Sequence, residues 1–368
     1  MKYVRMPIEV ESPEERGYST IRYNLAESSV TDRTLGEFNL DLSGAVLAYG
    51  DHRGFPALRH EIAEDVGVGE GDVLVTAGAA GALFIIATTL LGPDDHLVVV
   101  RPNYATNLET PRAIGCAIDI VDLTFEDSFG LDVERLRAAL RPNTRLISLT
   151  TPHNPTGVCL DRATLDAAVA VAAEAGCPLL VDETYRDMIY GEKLPLAATL
   201  GAHVISVSSV SKSYGIPGVR VGWIVNRDPV LMERFLAAKE QIGICGGLID
   251  EMVAAAAVAA RHDWLPALNQ RLSAARDAVE AWLKGQDAIE WVKPEGGCVC
   301  FPRIKPHLDV DLDLFYRLLD EEYGVAVGPG HWFEMDRRFM RIGFGWPTFD
   351  ELTRGLEGIS AALRRALR

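Results

Sequence analysis

The sequence predicts an α/β protein with a large domain, built on a mostly parallel sheet covered by helices, and a smaller α+β domain. Three observations support this fold class. From residue 55, short apolar runs alternate with helical patterns. After residue 226 the chain changes to long helical stretches, and strand patterns resume near residue 289. With 368 residues, 48% of them hydrophobic, the chain is long enough to bury a large core in two lobes.

The first part of the chain has the alternation expected of a parallel sheet. "FPALRHEIAEDV" and "AAGALFIIATTLL" have helical patterns, and the Ala-rich helix "RATLDAAVAVAAEA" ends at Gly176. Apolar strands joined by helices imply a mostly parallel sheet with both faces covered. The predicted strands are "DVLVTAG", "HLVVVRP", "NTRLISLTTP", "CPLLVDE" and "AHVISVSS".

The second part of the chain predicts a separate small lobe. Long helical patterns cover "PVLMERFLAAKEQIG", "IDEMVAAAAVAA" and "WLPALNQRLSAARDAVEAWLKG", and strand patterns follow in "IEWVKPEGGCVCFPRI", "YGVAVGPG" and "RFMRIGFG". A terminal helix follows from residue 349. We therefore predict a large domain at 46–270, a small domain at 271–368 and an N-terminal segment at 1–45 that joins the small domain. The helix near residues 264 to 284 is the predicted hinge.

Composition argues against several kinds of partner. Thirty-six Lys and Arg against 52 Asp and Glu give a net charge of -16, which would repel nucleic acid. The N-terminus is too charged for a signal peptide, and no apolar run approaches the roughly 18 residues of a membrane span. The six cysteines are dispersed without metal-ligand spacing. The sequence thus predicts a cytoplasmic protein with no metal site and no nucleic-acid or membrane partner.

Polar residues follow the predicted strands, where an open α/β sheet has its ligand crevice. In "SVSSVSKSYGIPGVRVGW", Ser209 and Ser211 occupy alternate positions on one side of an extended segment, and Arg220 returns after a Gly/Pro turn. Two hydroxyls and a guanidinium suit a phosphate dianion. The small residues of "GAAGAL" open a helix, whose free N–H groups offer a second anion site.

Lys212 and Asp182 add the chemistry of a particular cofactor. A partly desolvated lysine near a guanidinium has a lowered pKa, and its neutral amine can attack an aldehyde. Pyridoxal 5'-phosphate (PLP) combines an aldehyde, a phosphate and an aromatic ring whose nitrogen needs a carboxylate partner. Asp182, at the end of "CPLLVD", is the candidate partner. Taken singly, a lysine is more often a solvated surface residue, and an Asp at a strand end is more often a turn or cap residue.

Seven motifs in order resemble the fold type I, class I/II family of PLP-dependent aminotransferases. The resemblance covers the chain from about Tyr23 to Ala362. It implies a large domain with a sheet of the seven-stranded type, a homodimer with shared active sites, and transfer of an amino group between an L-amino acid and a 2-oxo acid. The motifs are "YGDHRGFPALR", "TPHNPTG", "VDETY", "SVSKSYGIPGVRVGW", "EGG", "VAVGPGHWF" and "RIGF".

The resemblance also implies roles for individual residues. Lys212 matches the lysine that forms a Schiff base with the cofactor and later moves the α-proton, and Asp182 matches the partner of the ring nitrogen. Arg341 matches the arginine that binds the substrate α-carboxylate. The other matches are Tyr185 and Asn154 as donors to the phenolate oxygen, Tyr104 as the stacking residue, and Ser209, Ser211 and Arg220 as phosphate ligands. Gly78, Ala79 and Ala80 match backbone donors, and Tyr49 matches a tyrosine that reaches the phosphate of the neighbouring subunit.

One departure from the family pattern concerns the substrate. Glu27, in "YNLAESSVTD", stands where relatives often have glycine and small residues that contact the substrate. An acidic residue at the mouth of the site would select a cationic side chain. The alternative is that Glu27 is a solvated or helix-capping carboxylate.

Two alternatives to an aminotransferase remain open. Loss of the α-proton also leads to β-elimination or cyclisation, so the same motifs fit a PLP-dependent β-eliminating lyase or an amino-acid cyclase. A non-enzymatic sensor fused to a DNA-binding module is not expected, since only about twenty residues precede the family match.

Overall fold

The computed structural model describes residues 1–368. None of its helices combines the length and apolar character needed to cross a bilayer. The helices are α1 (Pro7–Glu11), α2 (Pro13–Arg16), α3 (Pro56–Val66), α4 (Gly78–Leu90), α5 (Thr106–Ile114), α6 (Val133–Ala138), α7 (Arg162–Ala175), α8 (Pro229–Gly243), α9 (Leu248–Ala259), α10 (Arg261–Leu283), α11 (Leu312–Leu318) and α12 (Phe349–Ala366). The strands are β1 (Tyr23–Asn24), β2 (Val73–Ala77), β3 (His96–Arg101), β4 (Ala117–Asp122), β5 (Thr144–Thr150), β6 (Leu179–Asp182), β7 (Val204–Ser209), β8 (Val221–Val225), β9 (Ile289–Glu290), β10 (Val299–Cys300), β11 (Arg303–Ile304), β12 (Val325–Ala326), β13 (Gly328–Pro329) and β14 (Met340–Gly343).

The main sheet has seven strands in the order β2-β8-β7-β6-β5-β3-β4. The pairs from β4 to β7 are parallel, and β8 alone runs antiparallel between β2 and β7. The predicted mostly parallel sheet is therefore confirmed. Because β8 is reversed, its first residues lie at the same edge as the last residues of its neighbours.

Successive residues of the central strands enter different cores on the two faces of the sheet. In β3, Leu97 and Val99 pack in the core that contains α4 and α8. Val98 and Val100 pack on the other face, in the core that contains α7. This burial on both faces explains why the strand has an unbroken apolar sequence instead of an alternating one.

Strand β4 and helices α5 and α6 are among the elements of this domain that were not predicted from the sequence. Strand β4 lies at the sheet edge, where Asp119 pairs with Arg141 and Asp122 with Arg101. These carboxylates interrupt the apolar run that identifies a buried strand. Helix α5 contains Pro111, which disfavours a helical interpretation.

The C-terminal part forms its own core together with part of the N-terminal segment. Strand β14 pairs with β10 and β13, while β1 pairs in parallel with β12. Leu25 packs in the same core as residues of α10 and α12. Glu11 accepts hydrogen bonds from Trp332 Nε1 at 2.7 Å and from His331 Nε2 at 2.9 Å. The domain boundaries at residues 45 and 270 remain predictions.

Candidate active site

A cavity of about 490 Å³ lies at the edge where the parallel strands end. It brings together most of the residues predicted from the sequence. We call its strand-end residues the cofactor wall: Ala79, Ala80, Tyr104, Asn154, Asp182, Tyr185, Ser209, Ser211, Lys212 and Arg220. Arg341 lines the same cavity. We call its N-terminal lining residues the entrance segment: Arg5, Ile8, Glu9, Ser12, Pro13, Glu14, Glu15, Ala26, Glu27 and Ser28.

One corner of the cofactor wall is built for an anion. Gly78 begins α4 with a φ of 70°, and a Cβ at this position would lie 2.5 Å from Arg220 Nη2. Arg220 Nη1 also donates to Ser211 Oγ at 3.4 Å. A guanidinium, a hydroxyl and the N–H groups of the first turn of α4 thus converge in a space that only glycine at residue 78 leaves open.

The two serines lie in this corner, but not on one extended segment as expected. Strand β7 ends at Ser209, and Ser211 already belongs to a turn. The Ser209 Oγ accepts a hydrogen bond from Ser211 N at 3.3 Å, which stabilises that turn. Both hydroxyls still line the cavity.

Lys212 is the lysine of this cavity. Its Nζ donates to Ser28 Oγ at 3.1 Å. Burial lowers the pKa of Lys212, Glu27 raises it, and Arg341 lowers it further. The net lowering increases the share of neutral amine near neutral pH, which is the form that attacks an aldehyde.

Asp182 is a buried carboxylate that forms no ion pair. It is 6% exposed, and Thr184 N and Thr184 Oγ1 both donate to its Oδ1, at 3.0 and 2.6 Å. Burial raises the pKa of Asp182, while the Thr184 hydrogen bonds lower it. A cationic group bound beside this carboxylate would compensate for its burial.

Arg341 is 4% exposed and only partly satisfied. Nη1 donates to Asn154 Oδ1 at 3.1 Å and Nη2 to Ala26 O at 2.7 Å, but the buried Nε has no partner. Burial lowers the pKa of Arg341. A buried guanidinium with an unpaired donor and no ion pair to a carboxylate fits an anionic ligand. Since Asn154 uses its oxygen on Arg341, its Nδ2 remains as a donor toward the cavity.

Tyr185 and Tyr104 complete the cofactor wall. Tyr185 OH donates to Ser28 O at 2.9 Å, and burial raises the pKa of Tyr185. Burial likewise raises the pKa of Tyr104. Both rings are therefore neutral near neutral pH and serve as donors or apolar faces.

Two predicted site residues, Gly78 and Tyr49, are not among the residues that line the cavity. Gly78 lies next to Arg220 in the anion corner, whereas Tyr49 lies away from it. Tyr49 is 83% exposed, beside Val46 and Leu47, which are each 78% exposed. An isolated subunit therefore does not bring Tyr49 to its own anion corner.

Sequence reasoning missed several lining residues. Ser28 accepts hydrogen bonds from both Lys212 and Tyr185, yet no periodic pattern in the sequence identifies it as a site residue. The hydrogen bond from Trp332, another lining residue, to Glu11 of α1 was not predicted either. It joins residues more than 300 positions apart, and no local sequence pattern indicates such a contact. Thr184 could have been found, since a hydroxyl two residues after an Asp often bonds back to it.

This donor set fits PLP. The anion corner would hold its phosphate, Lys212 would bind its aldehyde, and buried Asp182 would complement its ring nitrogen. A fold with one antiparallel strand in a seven-stranded sheet and this site at its edge defines a PLP-dependent enzyme of the α/β type. The chain belongs to the family of class I and II aminotransferases, whose family model matches residues 23–359.

The similar proteins include aminotransferases and a synthase. The chain is 32% identical to capreomycidine synthase of Streptomyces vinaceus over 94% of this chain and 91% of that protein. It is 31% identical to the arginine–pyruvate transaminase AruH of Pseudomonas aeruginosa over 77% of this chain and 74% of that protein. A solved PLP-dependent aminotransferase from Streptococcus suis superposes with a TM-score of 0.92 at 29% identity, covering 100% and 99% of the two chains. The predicted family, enzyme class and cofactor are thereby confirmed.

Proposed function

We propose that the chain transfers an amino group between an L-amino acid and a 2-oxo acid, with Lys212 as its catalytic base and Arg341 as its carboxylate-binding residue. One observation carries this proposal. Two residues of the entrance segment on either side of Glu27 contact the amine and the guanidinium, since Ala26 O accepts from Arg341 and Ser28 Oγ accepts from Lys212. The amine and the guanidinium thus line one cavity together, and an α-amino acid carries the two groups that they complement, an amino group and a carboxylate.

Each group of the site has a task in this reaction. Arg341 binds and orients the α-carboxylate, so that the Cα–H bond faces Lys212. The amine of Lys212 is neutral because its pKa is lowered. It takes the proton from Cα and later donates that proton to another atom, which completes the transfer. PLP, when bound, supplies the electron sink for the carbanion. Asp182 keeps positive charge at the ring nitrogen, and the entrance segment shields the cavity from water.

Elimination or cyclisation is the second candidate, because the same motifs fit it and one similar protein, capreomycidine synthase, is named as a synthase and not as a transaminase. That relative covers more of this chain than the transaminase does. Cyclisation shares the first proton abstraction by Lys212 and diverges only when a group at Cβ leaves and an internal nucleophile takes its place. The site residues described above serve either outcome.

A half-reaction separates these candidates. Purified enzyme is incubated with a panel of amino acids and no 2-oxo acid, and both cofactor absorbance and products are followed. Transamination converts the cofactor once to its amine form and yields one equivalent of 2-oxo acid. Sustained release of a Cβ substituent, or of a cyclic amino acid, supports the second candidate. Failure of every amino acid to react would reject both.

We further propose a homodimer in which Tyr49 reaches the phosphate of the neighbouring subunit. The exposed apolar group around Tyr49 supports an interface there. Mixed dimers provide the test. In a Lys212→Ala/Tyr49→Ala heterodimer, one site carries both defects and the other carries neither, so a one-to-one mixture should regain about a quarter of wild-type activity. Activity that stays at the level of the single variants would show that Tyr49 does not act across the interface.

The cytoplasmic location remains a prediction.

A further inference from the structure

When each charged side chain that lines the cavity is matched with its partner, negative charge is left over. Arg5 is paired with Glu15 at 2.9 Å. Glu9 Oε2 accepts from Met6 N at 2.8 Å and so caps α1. Asp182 and the basic residues of the cavity have tasks in the proposed reaction. Two carboxylates remain, Glu14 and Glu27, and neither forms an ion pair with a side chain of the protein, although Lys212 and Arg341 are near enough to lower the pKa of Glu27.

Glu27 lies between the groups that would hold the amino acid. Its neighbour Ala26 is bonded to Arg341, and its other neighbour Ser28 is bonded to Lys212. The main chain of Glu27 packs directly against Gly343, so closely that a Cβ on Gly343 would lie 1.8 Å from Glu27 O. This contact prevents the main chain of Glu27 from moving away from the cavity. The position of Glu27 is therefore set by both substrate-binding groups.

The Glu27 carboxylate is also held in place. It is half-buried, and its hydrogen bond comes from Tyr18 OH at 3.2 Å. The Tyr18 ring stacks on Trp346, with centroids 6.2 Å apart, and Trp346 Nε1 donates to Asp32 at 3.0 Å. Burial raises the pKa of Glu27, whereas Lys212 and Arg341 lower it. A cation beside the carboxylate would relieve that desolvation.

We propose that Glu27, with Glu14 beside it, binds the side chain of the substrate, and that this side chain is a guanidinium or ammonium group. This inference rests on the proposed function. The unpartnered Nε of buried Arg341 is an independent sign that an anionic group binds in the same cavity. A substrate with a carboxylate at one end and a cation at the other satisfies both ends, whereas a dicarboxylic acid would meet Glu27 with like charge.

L-Arginine and L-citrulline provide the kinetic test, because they have nearly the same shape and differ by the side-chain charge. Wild type should have a kcat/KM for arginine at least about 10-fold above that for citrulline, as expected for a charged hydrogen bond. Glu27→Gln, which keeps the size and the acceptor for Tyr18, should lower this ratio by about 10- to 100-fold. Glu14 is exposed, so Glu14→Gln should lower it only about 2- to 5-fold. Glu357→Gln removes a charge from the exposed face of α12 and should leave the ratio unchanged.

A binding measurement distinguishes failure of this inference from failure of the proposed function. 5-Guanidinopentanoate has the carboxylate and the cation but no amino group to react, and 5-ureidopentanoate is its neutral counterpart. Calorimetry should show at least about 10-fold tighter binding of the guanidino compound to wild type, and loss of that preference in Glu27→Gln. Equal binding of the two compounds, or a preference that Glu27→Gln leaves intact, overturns the inference even if the enzyme transaminates. If no amino acid reacts, the proposed function falls, and the calorimetry still decides the role of Glu27.

Discussion

The cofactor wall and the entrance segment face the same cavity but are built differently. The cofactor wall consists of residues at the edge of one sheet, where Thr150 pairs with Asp182 and Ser209 with Gly222. The entrance segment consists of two short helices and irregular chain, attached to the C-terminal core. The difference indicates that a rigid sheet positions the groups common to the family. The entrance segment supplies the charged residues that we propose determine substrate specificity.

The largest effect should come from the cofactor wall. Asp182→Ala should reduce kcat by about 100- to 1000-fold, because it removes a fixed charge from the centre of the reaction. Rapid-mixing measurement of the half-reaction, with cofactor content determined by absorbance, checks this. Asp350→Ala, at an exposed position in the first turn of α12, is the charge-matched control. Near-normal turnover of fully loaded Asp182→Ala would contradict its assignment.

A smaller effect should come from the opposite side of the cavity. Arg341→Lys keeps the charge but loses the forked donor, so kcat/KM should fall about 10- to 100-fold, mainly through KM. Steady-state kinetics measures the split, and Arg338→Lys, just before β14, is the control. A fall in kcat with unchanged KM would place Arg341 among the groups that act on the reacting atoms.

The smallest effect on the reaction should come from the carboxylate next to Asp182. Glu183 points into the fold, where Oε2 accepts from Ser206 Oγ at 2.5 Å and Ala197 N at 3.0 Å. Burial raises its pKa from 4.5 to about 7. The folded state thus holds the proton more tightly, and this contribution to stability is present below about pH 4.5 and lost as the pH rises through about 7.

Glu183→Gln should therefore change stability and not substrate preference. Relative to wild type, its free energy of unfolding should improve between pH 5 and pH 8 by up to about 3 kcal/mol. Urea unfolding at the two pH values measures this. Parallel pH profiles of the two proteins would show that Glu183 is not the titrating group.

The same contrast explains what could be predicted from the sequence. Strand ends and motifs such as "VDETY" are local, so Asp182, Lys212 and Arg220 could be identified before their geometry was known. Arg341 and Glu27 were found by resemblance to the family and departure from it. The link of Ser28 to Lys212 joins residues 184 positions apart, and no local pattern encodes such a contact.

The central claim is that Lys212 carries the cofactor, and a second lysine makes its test sharp. Lys239 is 6% exposed, burial lowers its pKa as well, and its Nζ donates to His52 O at 2.6 Å, outside the cavity. Burial and a lowered pKa are therefore not unique to Lys212, whereas its position in the cavity is.

Borohydride reduction of the loaded enzyme, followed by proteolysis and mass spectrometry, identifies the lysine that bears the pyridoxyl group. The label should be on Lys212, the visible absorption band should be absent in Lys212→Ala, and Lys239→Ala should keep both. A label on Lys239 or any other lysine, or a band that persists in Lys212→Ala, would contradict the account.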